Sequence, residues 1–308
     1  MPVVESEISG ILYHAVLCYD HNKGLILPDK VPYIGMGSSY FAALVLRYLG
    51  KKIYPELASE YFNYLEDVKQ FEKAVLISQS GESSETLWCA GRFEKFVCIV
   101  NDVESLLGRH SGADIVVDLC AGEEKYSSAK TFINSLIVLF LGHGIDPAPV
   151  LVRMRENFPL YCSQGYDWGK QIYSLLKKRK YKGFYILGAG PNLGVAMQAA
   201  LVLTQITKYP FYGMSMAQFD HGIKEASGRS VVFVISPDGI RDERPAILKQ
   251  KIKSAGGVYF EWNEPGIPEY LSPVTSAIPF FFLSAFLKKK LKIKDPFLVG
   301  DKITRTRG

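Results

Sequence analysis

The chain has 308 residues, of which 48% are hydrophobic and 22% charged, and it carries a formal net charge of +5. That length allows one large or two medium α/β domains, and the composition is ordinary for a globular protein. The modest positive charge suits a small anionic substrate but is too diffuse to indicate a nucleic-acid surface. No secretory signal pattern and no bilayer-length apolar stretch is visible, so we predict a cytoplasmic protein without a membrane partner.

The cysteines and histidines do not suggest a metal centre. The five cysteines show no CxxC spacing, and several lie in apolar segments, so we expect reduced, packed thiols. The five histidines show no HExxH or other paired-ligand spacing. We therefore expect no metal and no cofactor.

In chain order, the pattern of the first 30 residues predicts a helix followed by a loop that ends at Pro28 and Pro32. After it, the same order of predicted strands and helices occurs twice. Residues 31–50 and 183–206 each read as strand, glycine turn and helix. Residues 74–81 correspond to 231–239, and residues 95–102 correspond to 256–264, all with the pattern of apolar strands. Short apolar strands that alternate with amphipathic helices predict parallel sheets covered by helices on both faces.

This internal correspondence predicts two subdomains of one fold, 1–150 and 151–308. The connection, 146–171, begins with IDPAPV and continues as a helix, and the C-terminal tail KDPFLVGDKITRTRG is expected to be functional despite its lack of periodicity. The glycine turns GMGSSYF and GAGPNLG do not have the GxGxxG spacing. A nicotinamide cofactor is therefore not predicted.

The stretch VLISQSGESSETL, residues 75–87, places four serines where a strand turns into a helix. Ligands of open α/β sheets bind beyond the carboxyl ends of the strands, and a glycine at position 81 allows successive N–H groups to converge there. Helix capping by Ser83 or Ser84 explains one serine, but not four serines and a glutamine. The turn contains no Lys or Arg, so we predict a phosphate site built from neutral donors: Ser78, Gln79, Ser80 and Ser83.

SQSGESSETL resembles the signature of the SIS (sugar isomerase) domain family. Four further segments resemble the family: GMGSSYFAALVLRYL, PELASEY, SSAKTF and FDHGIKE. The plan is similar to the isomerase half of glucosamine-6-phosphate synthase, and we expect no glutaminase domain. The resemblance implies an α/β fold of two SIS subdomains, each a parallel five-stranded sheet flanked by helices in a flavodoxin-like, three-layer α/β/α arrangement.

The resemblance also implies roles for particular residues. Ser38, Ser39 and Ser128 would contact sugar hydroxyls, and His221 would open the sugar ring at a site near the interface of a homodimer. Lys302 in the tail would form a Schiff base with the keto sugar. Gln205 stands where the family has its proton-shuttling glutamate, which a glutamine cannot replace as a base. Glu225 is a candidate substitute, although a glutamate at such a position is more often a solvated helix residue. The alternative for His221 is a turn histidine that is bonded locally.

Three functions are consistent with these residues. The first is an aldose–ketose isomerase or deaminase acting on hexose or hexosamine 6-phosphates of the glucosamine-6-phosphate or fructose-6-phosphate type. The second is a deglycase acting on fructosamine phosphates, and the third is a sugar-phosphate-binding regulator without turnover. His221 and Lys302 favour an enzyme, whereas Gln205 favours the regulator.

Overall fold

The computed structural model describes residues 3–65, 71–126, 128–178, 180–237, 243–294 and 298–299. The chain separates into two compact units, one formed by Gly10–Leu151 and the other by Val152–Leu298 with the N-terminal residues through Ser9. Within the described residues, no helix combines the length and the apolar character that a membrane span requires.

The first unit contains a parallel sheet of five strands. They are β1 (Pro32–Gly35), β2 (Tyr54–Leu57), β3 (Lys73–Ser78), β4 (Lys95–Val100) and β5 (Ala113–Asp118). Their order in the sheet is β2-β1-β3-β4-β5, and every pair is parallel. The direction in which strands are added therefore reverses between β1 and β3. The expectation of a five-stranded parallel sheet is confirmed for this unit.

Helices cover both faces of this sheet. On one face α2 (Ile11–His21), α3 (Ser38–Tyr48) and α6 (Lys130–Gly142) pack against one another. On the other, α4 (Ala58–Glu60), a π-helical turn (Tyr61–Leu65) and α5 (Ser84–Ala90) enclose a core with strand residues that include Ile34, Leu76 and Cys98. The N-terminal segment forms two helices rather than the one expected, because α1 (Val3–Ser9) ends before Gly10 and belongs to the second unit.

The second unit contains β6 (Gly183–Gly188), β7 (Phe211–Ser215), β8 (Ser230–Ile235) and β9 (Val258–Trp262). They form a parallel sheet in the order β7-β6-β8-β9, which repeats the first four positions of the other sheet. The expectation of five strands was wrong here, since the described residues form four. The segment after β9 contains Pro265 and Pro268, which cannot donate to a ladder.

The helices of the second unit are α7 (Ala148–Lys177, whose first turn belongs to the first unit), α8 (Asn192–Thr207), α9 (Met216–Asp220), a 3₁₀ helix (Ile223–Arg229), α10 (Arg244–Ser254), α11 (Ser272–Ser276) and α12 (Ile278–Leu291). On one face Trp168 of α7 packs against Phe233 of β8 and Phe280 of α12. On the other, Val232 and Val234 share a core with α9 and α10. This is the predicted three-layer arrangement.

A buried histidine lies at the amino end of the first sheet. The His143 side chain is 3% exposed, with its Nδ1 3.2 Å from Asp29 Oδ1. Its Nε2 lies 2.7 Å from the hydroxyl of Tyr33, which also donates to the Pro28 carbonyl. Burial lowers the pKa of His143 below its ordinary value of 6.5 and outweighs the opposing effect of Asp29. The folded chain therefore favours the neutral ring.

This burial predicts a loss of stability in acid. Below 6.5 the unfolded chain binds a proton at His143 that the folded chain resists, so stability present above 6.5 is lost as the pH falls. We expect His143→Gln, which does not titrate, to destabilise the protein more at about pH 7.5 than at about pH 5.5 in urea unfolding. A destabilisation that is equal at the two pH values would contradict this account.

Candidate functional site

The candidate site lies at the carboxyl edge of the first sheet, where the strand order reverses. The chain leaves β1 toward one side of the sheet and leaves β3 toward the other, so a crevice opens between their carboxyl ends. Ser38 and Ser39 begin α3 directly after β1. Ser78 ends β3, and the serine turn, residues 78–84, follows it. The fold thus brings two of the predicted serine clusters to the same edge.

The serine turn is shaped by Gly81. Its N–H donates to the Ser78 carbonyl at 3.1 Å, and its φ of +63° lies in the left-handed region. A Cβ at this position would lie 1.8 Å from the Oγ of Ser105. The Gly81 carbonyl also accepts from the Leu107 N–H at 3.0 Å. Because the turn is packed this closely on the 105–107 segment, only glycine fits.

Two hydroxyls near the turn are buried without a partner. Ser78 is 2% exposed and Thr86 is 0% exposed, and neither hydroxyl oxygen has a hydrogen-bond partner within the described residues. Ser83 occupies the N-cap position of α5, but its side chain makes no capping hydrogen bond. The capping alternative for Ser83 is therefore not observed. Buried polar groups are nearly always paired, so unpaired hydroxyls beside a crevice are consistent with a ligand site.

The first turn of α3 lies directly against the strands. A Cβ on Gly35 would lie 2.7 Å from the Ser39 Cβ and 2.9 Å from the Ile77 carbonyl oxygen, so a side chain there would push the helix away from β3. Ser39 is consequently buried beside the end of β3. The first turn of α3 is therefore held close to the carboxyl end of β3.

A half-buried carboxyl lies nearby and was not predicted as a site residue. Burial raises the pKa of Glu56 on β2, and burial, followed by the Glu56 carboxylate, raises the pKa of Tyr40 in the first turn of α3. Carboxyls with raised pKa values are common among acid–base groups, although structural pairs show the same shift. An acidic residue near the end of a strand beside the order reversal is the signal that could have pointed to Glu56.

Asn101 connects the serine turn to the loop after β5. Its backbone N–H donates to the Gln79 carbonyl at 3.0 Å. Its side-chain amide donates to the Gly122 carbonyl at 2.8 Å and accepts from the Ala121 N–H at 2.7 Å. Asn101 was not predicted from the sequence, although its place directly after β4 was a usable signal. It sets the position of the loop that leads to Ser128.

Glu124 caps the helix that follows this loop. Its carboxylate accepts from the N–H groups of Ala129, Lys130 and Thr131 at 2.8, 2.7 and 3.1 Å. Ser128 sits just before this helix with a φ of +40°, a strained conformation for a serine. The buried Lys130 donates from Nζ to the Glu123 carbonyl at 2.8 Å. The strained serine at a capped helix start is consistent with the predicted sugar contact, which stays a prediction.

The predicted catalytic residues belong elsewhere in the chain. In the second unit, His221 is exposed at the C-cap of α9, and its ring makes no hydrogen bond to the described residues. Gln205 is partly exposed near the end of α8, where its backbone carbonyl accepts a hydrogen bond from Lys208 Nζ at 2.7 Å. Glu225 is exposed on the 3₁₀ helix and lines a cavity of about 740 Å³ over β6 and β7. Lys302 lies outside the described residues, so all four roles stay predictions.

Comparison with known proteins supports the resemblance read from the sequence. No family model matches the chain. Among curated proteins, it is similar to the glutamine–fructose-6-phosphate aminotransferase [isomerizing] of Mesorhizobium japonicum, with 28% identity over 311 aligned positions that cover 86% of this chain and 51% of that protein. The Pyrococcus horikoshii protein of the same name is 27% identical over 293 positions, covering 84% and 48%. The chain thus spans about half the length of these curated relatives.

Solved structures share the fold. The C-terminal domain of glucosamine-fructose-6-phosphate aminotransferase from Francisella tularensis superposes with a TM-score of 0.77 at 18% identity, covering 93% of this chain and 95% of that one. Glucosamine-6-phosphate deaminase from Thermotoga maritima gives 0.75 at 19% identity, covering 95% and 96%. Tagatose-6-phosphate ketose/aldose isomerase from Escherichia coli gives 0.66 at 14% identity, covering 97% and 96%. The predicted resemblance to the SIS family is confirmed.

The packing of the serine turn predicts that Gly81→Ala destabilises the first unit. The left-handed φ alone costs a residue with a Cβ about 1–2 kcal/mol, and the contact with Ser105 adds to this. Gly91→Ala is the matched control, because Gly91 has a φ of −66° and its Cβ would meet nothing closer than 3.6 Å. It should be neutral or stabilise by up to about 1 kcal/mol. Urea unfolding of the two variants measures the difference, and equal stabilities would refute this description of the turn.

Proposed function

We propose that this SIS-type chain binds a hexose or hexosamine 6-phosphate, with the phosphate held by Ser78, Gln79, Ser80 and Ser83. The observation that carries the proposal is the serine turn at the order reversal of the first sheet, where Gly81 fits no Cβ and the buried Ser78 hydroxyl has no partner within the described residues. Serine hydroxyls rotate to donate to phosphate oxygens, and the N–H groups that begin α5 point in the same direction.

Binding of the phosphate by neutral hydrogen-bond donors suits a metabolite that must also be released. The segment from Ser78 to Ser84 contains no Lys or Arg, so the phosphate is bound by neutral donors rather than ion pairs. Ser38, Ser39 and Ser128 would then contact the sugar hydroxyls.

We further propose turnover, as an aldose–ketose isomerase or deaminase. The names of the relatives, an isomerizing aminotransferase and a glucosamine-6-phosphate deaminase, support this class of reaction. In the mechanism, His221 opens the sugar ring by moving a proton to the ring oxygen. The Nζ of Lys302 then adds to the carbonyl carbon of the keto sugar, and water leaves as the imine forms. Water or ammonia then adds to the imine carbon and displaces the Lys302 nitrogen, which frees the lysine. Proton transfer between C1 and C2 of the released keto sugar, or of its imine with ammonia, completes the isomerisation.

One residue favours a second function. Gln205 occupies the position at which the family resemblance implies the proton-shuttling glutamate, and an amide cannot serve as that base. Either a carboxylate such as Glu225 replaces it, or the chain binds its sugar phosphate without turnover and acts as a regulator. The two functions share the serine turn and differ only in the chemistry that follows binding.

The proposal includes an assembly and a location. We propose a homodimer in the cytoplasm, in which the ring-opening His221 is delivered near the subunit interface, and subdomains that divide at about residue 150, as the SIS resemblance implies. No nucleic acid, membrane or cofactor takes part in this function.

The binding step is tested by a charge placed in the turn. Ser80→Asp should abolish binding of glucosamine 6-phosphate and fructose 6-phosphate, because juxtaposed like charges cost several kcal/mol and each 1.4 kcal/mol is about tenfold in affinity. Isothermal titration measures the loss, which should exceed about 100-fold. Unphosphorylated glucosamine and fructose serve as ligand controls. Ser163→Asp, on an exposed position of α7, is the matched variant and should bind as the wild type does. Unchanged affinity in a folded Ser80→Asp protein would defeat the assignment.

The chemical step is tested by trapping and by rescue. Borohydride added with fructose 6-phosphate should reduce an imine at Lys302 to a stable amine, which peptide mass spectrometry locates. Loss of a general base costs about 10²–10⁴-fold in rate, so Gln205→Glu should raise turnover substantially. Gln164→Glu, a partly exposed glutamine on α7, is the matched control.

The outcomes separate the two functions. No adduct, no wild-type turnover and no gain in Gln205→Glu, together with retained sugar-phosphate binding, would reject the enzyme and leave the regulator. Sedimentation velocity on the same samples measures whether the protein is a dimer. A fully active monomer would exclude the proposal that His221 acts near a subunit interface.

A further inference from the structure

Three metal-ligating side chains that are far apart in the sequence come together at the end of β5. They are His21 at the last residue of α2, Asp118 at the last residue of β5, and Cys120 two residues later. One donor atom from each, a ring nitrogen, a carboxylate oxygen and the thiol sulfur, all lie within 4.8 Å of one another. We propose that these residues form a binding site for a borderline divalent transition metal, with Zn²⁺ as the expected occupant.

The donor set selects the metal class. Imidazole, thiolate and carboxylate are the ligand types of protein zinc, at distances of about 2.0–2.3 Å, and tetrahedral donors at such distances lie about 3.5 Å apart. The three donors therefore need only a small inward movement to bind one ion. Thiolate and imidazole ligands disfavour Mg²⁺ and Ca²⁺, which prefer oxygen. Thiolate and carboxylate together also balance the two positive charges of the ion.

The backbone around the three residues is already held in place. Asn22, the residue after His21, donates from its side-chain amide to the Cys18 carbonyl at 2.9 Å and to the Asp118 carbonyl at 3.0 Å, so it ties the end of α2 to the end of β5. The Cys120 N–H donates to Asp118 Oδ1 at 2.7 Å. Such contacts orient the ligands before the metal arrives, as outer-shell hydrogen bonds do in metal sites.

The conformation of Cys120 is unusual and is imposed by its neighbours. Its φ is +52°, which is strained for a residue with a Cβ. The Cys120 carbonyl oxygen lies 2.8 Å from His14 Nδ1. The backbone N–H of Leu119, the preceding residue, donates to the Val100 carbonyl at 2.8 Å. Strain of this kind persists only where the surroundings over-determine it. Here it leaves the sulfur beside His21 and Asp118.

The site is accessible and open. His21 is exposed, and its ring makes no hydrogen bond to any described residue, so it is available to bind an ion that arrives from solvent. Three protein ligands leave a fourth position for water or another small ligand, which is the arrangement of an open zinc site rather than a closed structural one. The end of α2 also presents the negative pole of its helix dipole to the cation.

The test uses the full chain with Zn²⁺ and Co²⁺ as probes. We expect one Zn²⁺ per chain by elemental analysis after metal loading and gel filtration. Co²⁺ should give a thiolate-to-metal charge-transfer band that Zn²⁺ displaces. Loss of an outer-shell partner alone costs about 10–100-fold in metal affinity, so His21→Ala should weaken binding by at least about 100-fold, and Cys120→Ser should abolish the band. Asp118→Asn keeps the acceptor for the Cys120 N–H and should weaken binding while the fold is retained.

Cys162→Ser is the matched control, because it removes a partly buried thiol outside the cluster, and it should leave stoichiometry and spectrum unchanged. The proposal is overturned if no stoichiometric Zn²⁺ binds, if the Co²⁺ band persists in Cys120→Ser, or if it disappears in Cys162→Ser. It is also overturned if mass spectrometry of unreduced protein finds Cys120 in a disulfide with Cys18, which lies three residues before His21 on α2. Circular dichroism confirms that each variant is folded.

Discussion

The parallel register of the first sheet is the constraint on which the candidate site depends. Ile77 pairs with Gly35, Ser78 with Val100, and Val100 with Asp118, so the chain leaves four strands at one common edge. Neighbouring strands are about 4.8 Å apart, which places the turn after β3 and the end of β5 roughly 10 Å from each other. A slip of one residue in the pairing of a strand would turn each of its side chains to the opposite face of the sheet. Because helices cover both faces, the packing against them fixes the register and with it the position of the strand ends.

The two halves share a plan but differ in the polar groups at the order reversal. In the second unit the order also reverses, between β6 and β8, and one pair of side chains there is joined by a hydrogen bond. Asn192, which begins α8, is fully buried and donates to the Ser272 hydroxyl at 2.8 Å. A Cβ on Gly190 would lie 3.3 Å from the Glu269 carboxylate. At this edge the second unit thus has an amide–hydroxyl pair and a glutamate where the first unit has the serine turn, and the serines are the reason that the phosphate site is proposed for the first unit.

Local patterns predicted most of this architecture because strand, turn and helix are encoded over short stretches. The strand before the serine turn, the glycine turns after β1 and β6, and the long helix after IDPAPV all follow from periodicity and turn residues. Groupings that depend on tertiary contacts could not be read in this way. Asn101 bridges two loops, and Glu124 caps a helix that starts several residues later. The described residues of the second unit form four strands rather than five, which the internal correspondence of the two halves did not predict.

The loop from Leu119 to Ser128 links the two proposed sites physically. Cys120 at its start belongs to the metal cluster, Gly122 in its middle is bound by Asn101 beside the serine turn, and Glu124 caps the helix behind Ser128. The hydrogen bonds of Asn101 and Glu124 already hold this loop, so the backbone at the metal cluster and the backbone beside the serine turn are positioned by one set of contacts. A substitution that moves the loop, such as Asn101→Ala, should therefore disturb both proposed sites at once.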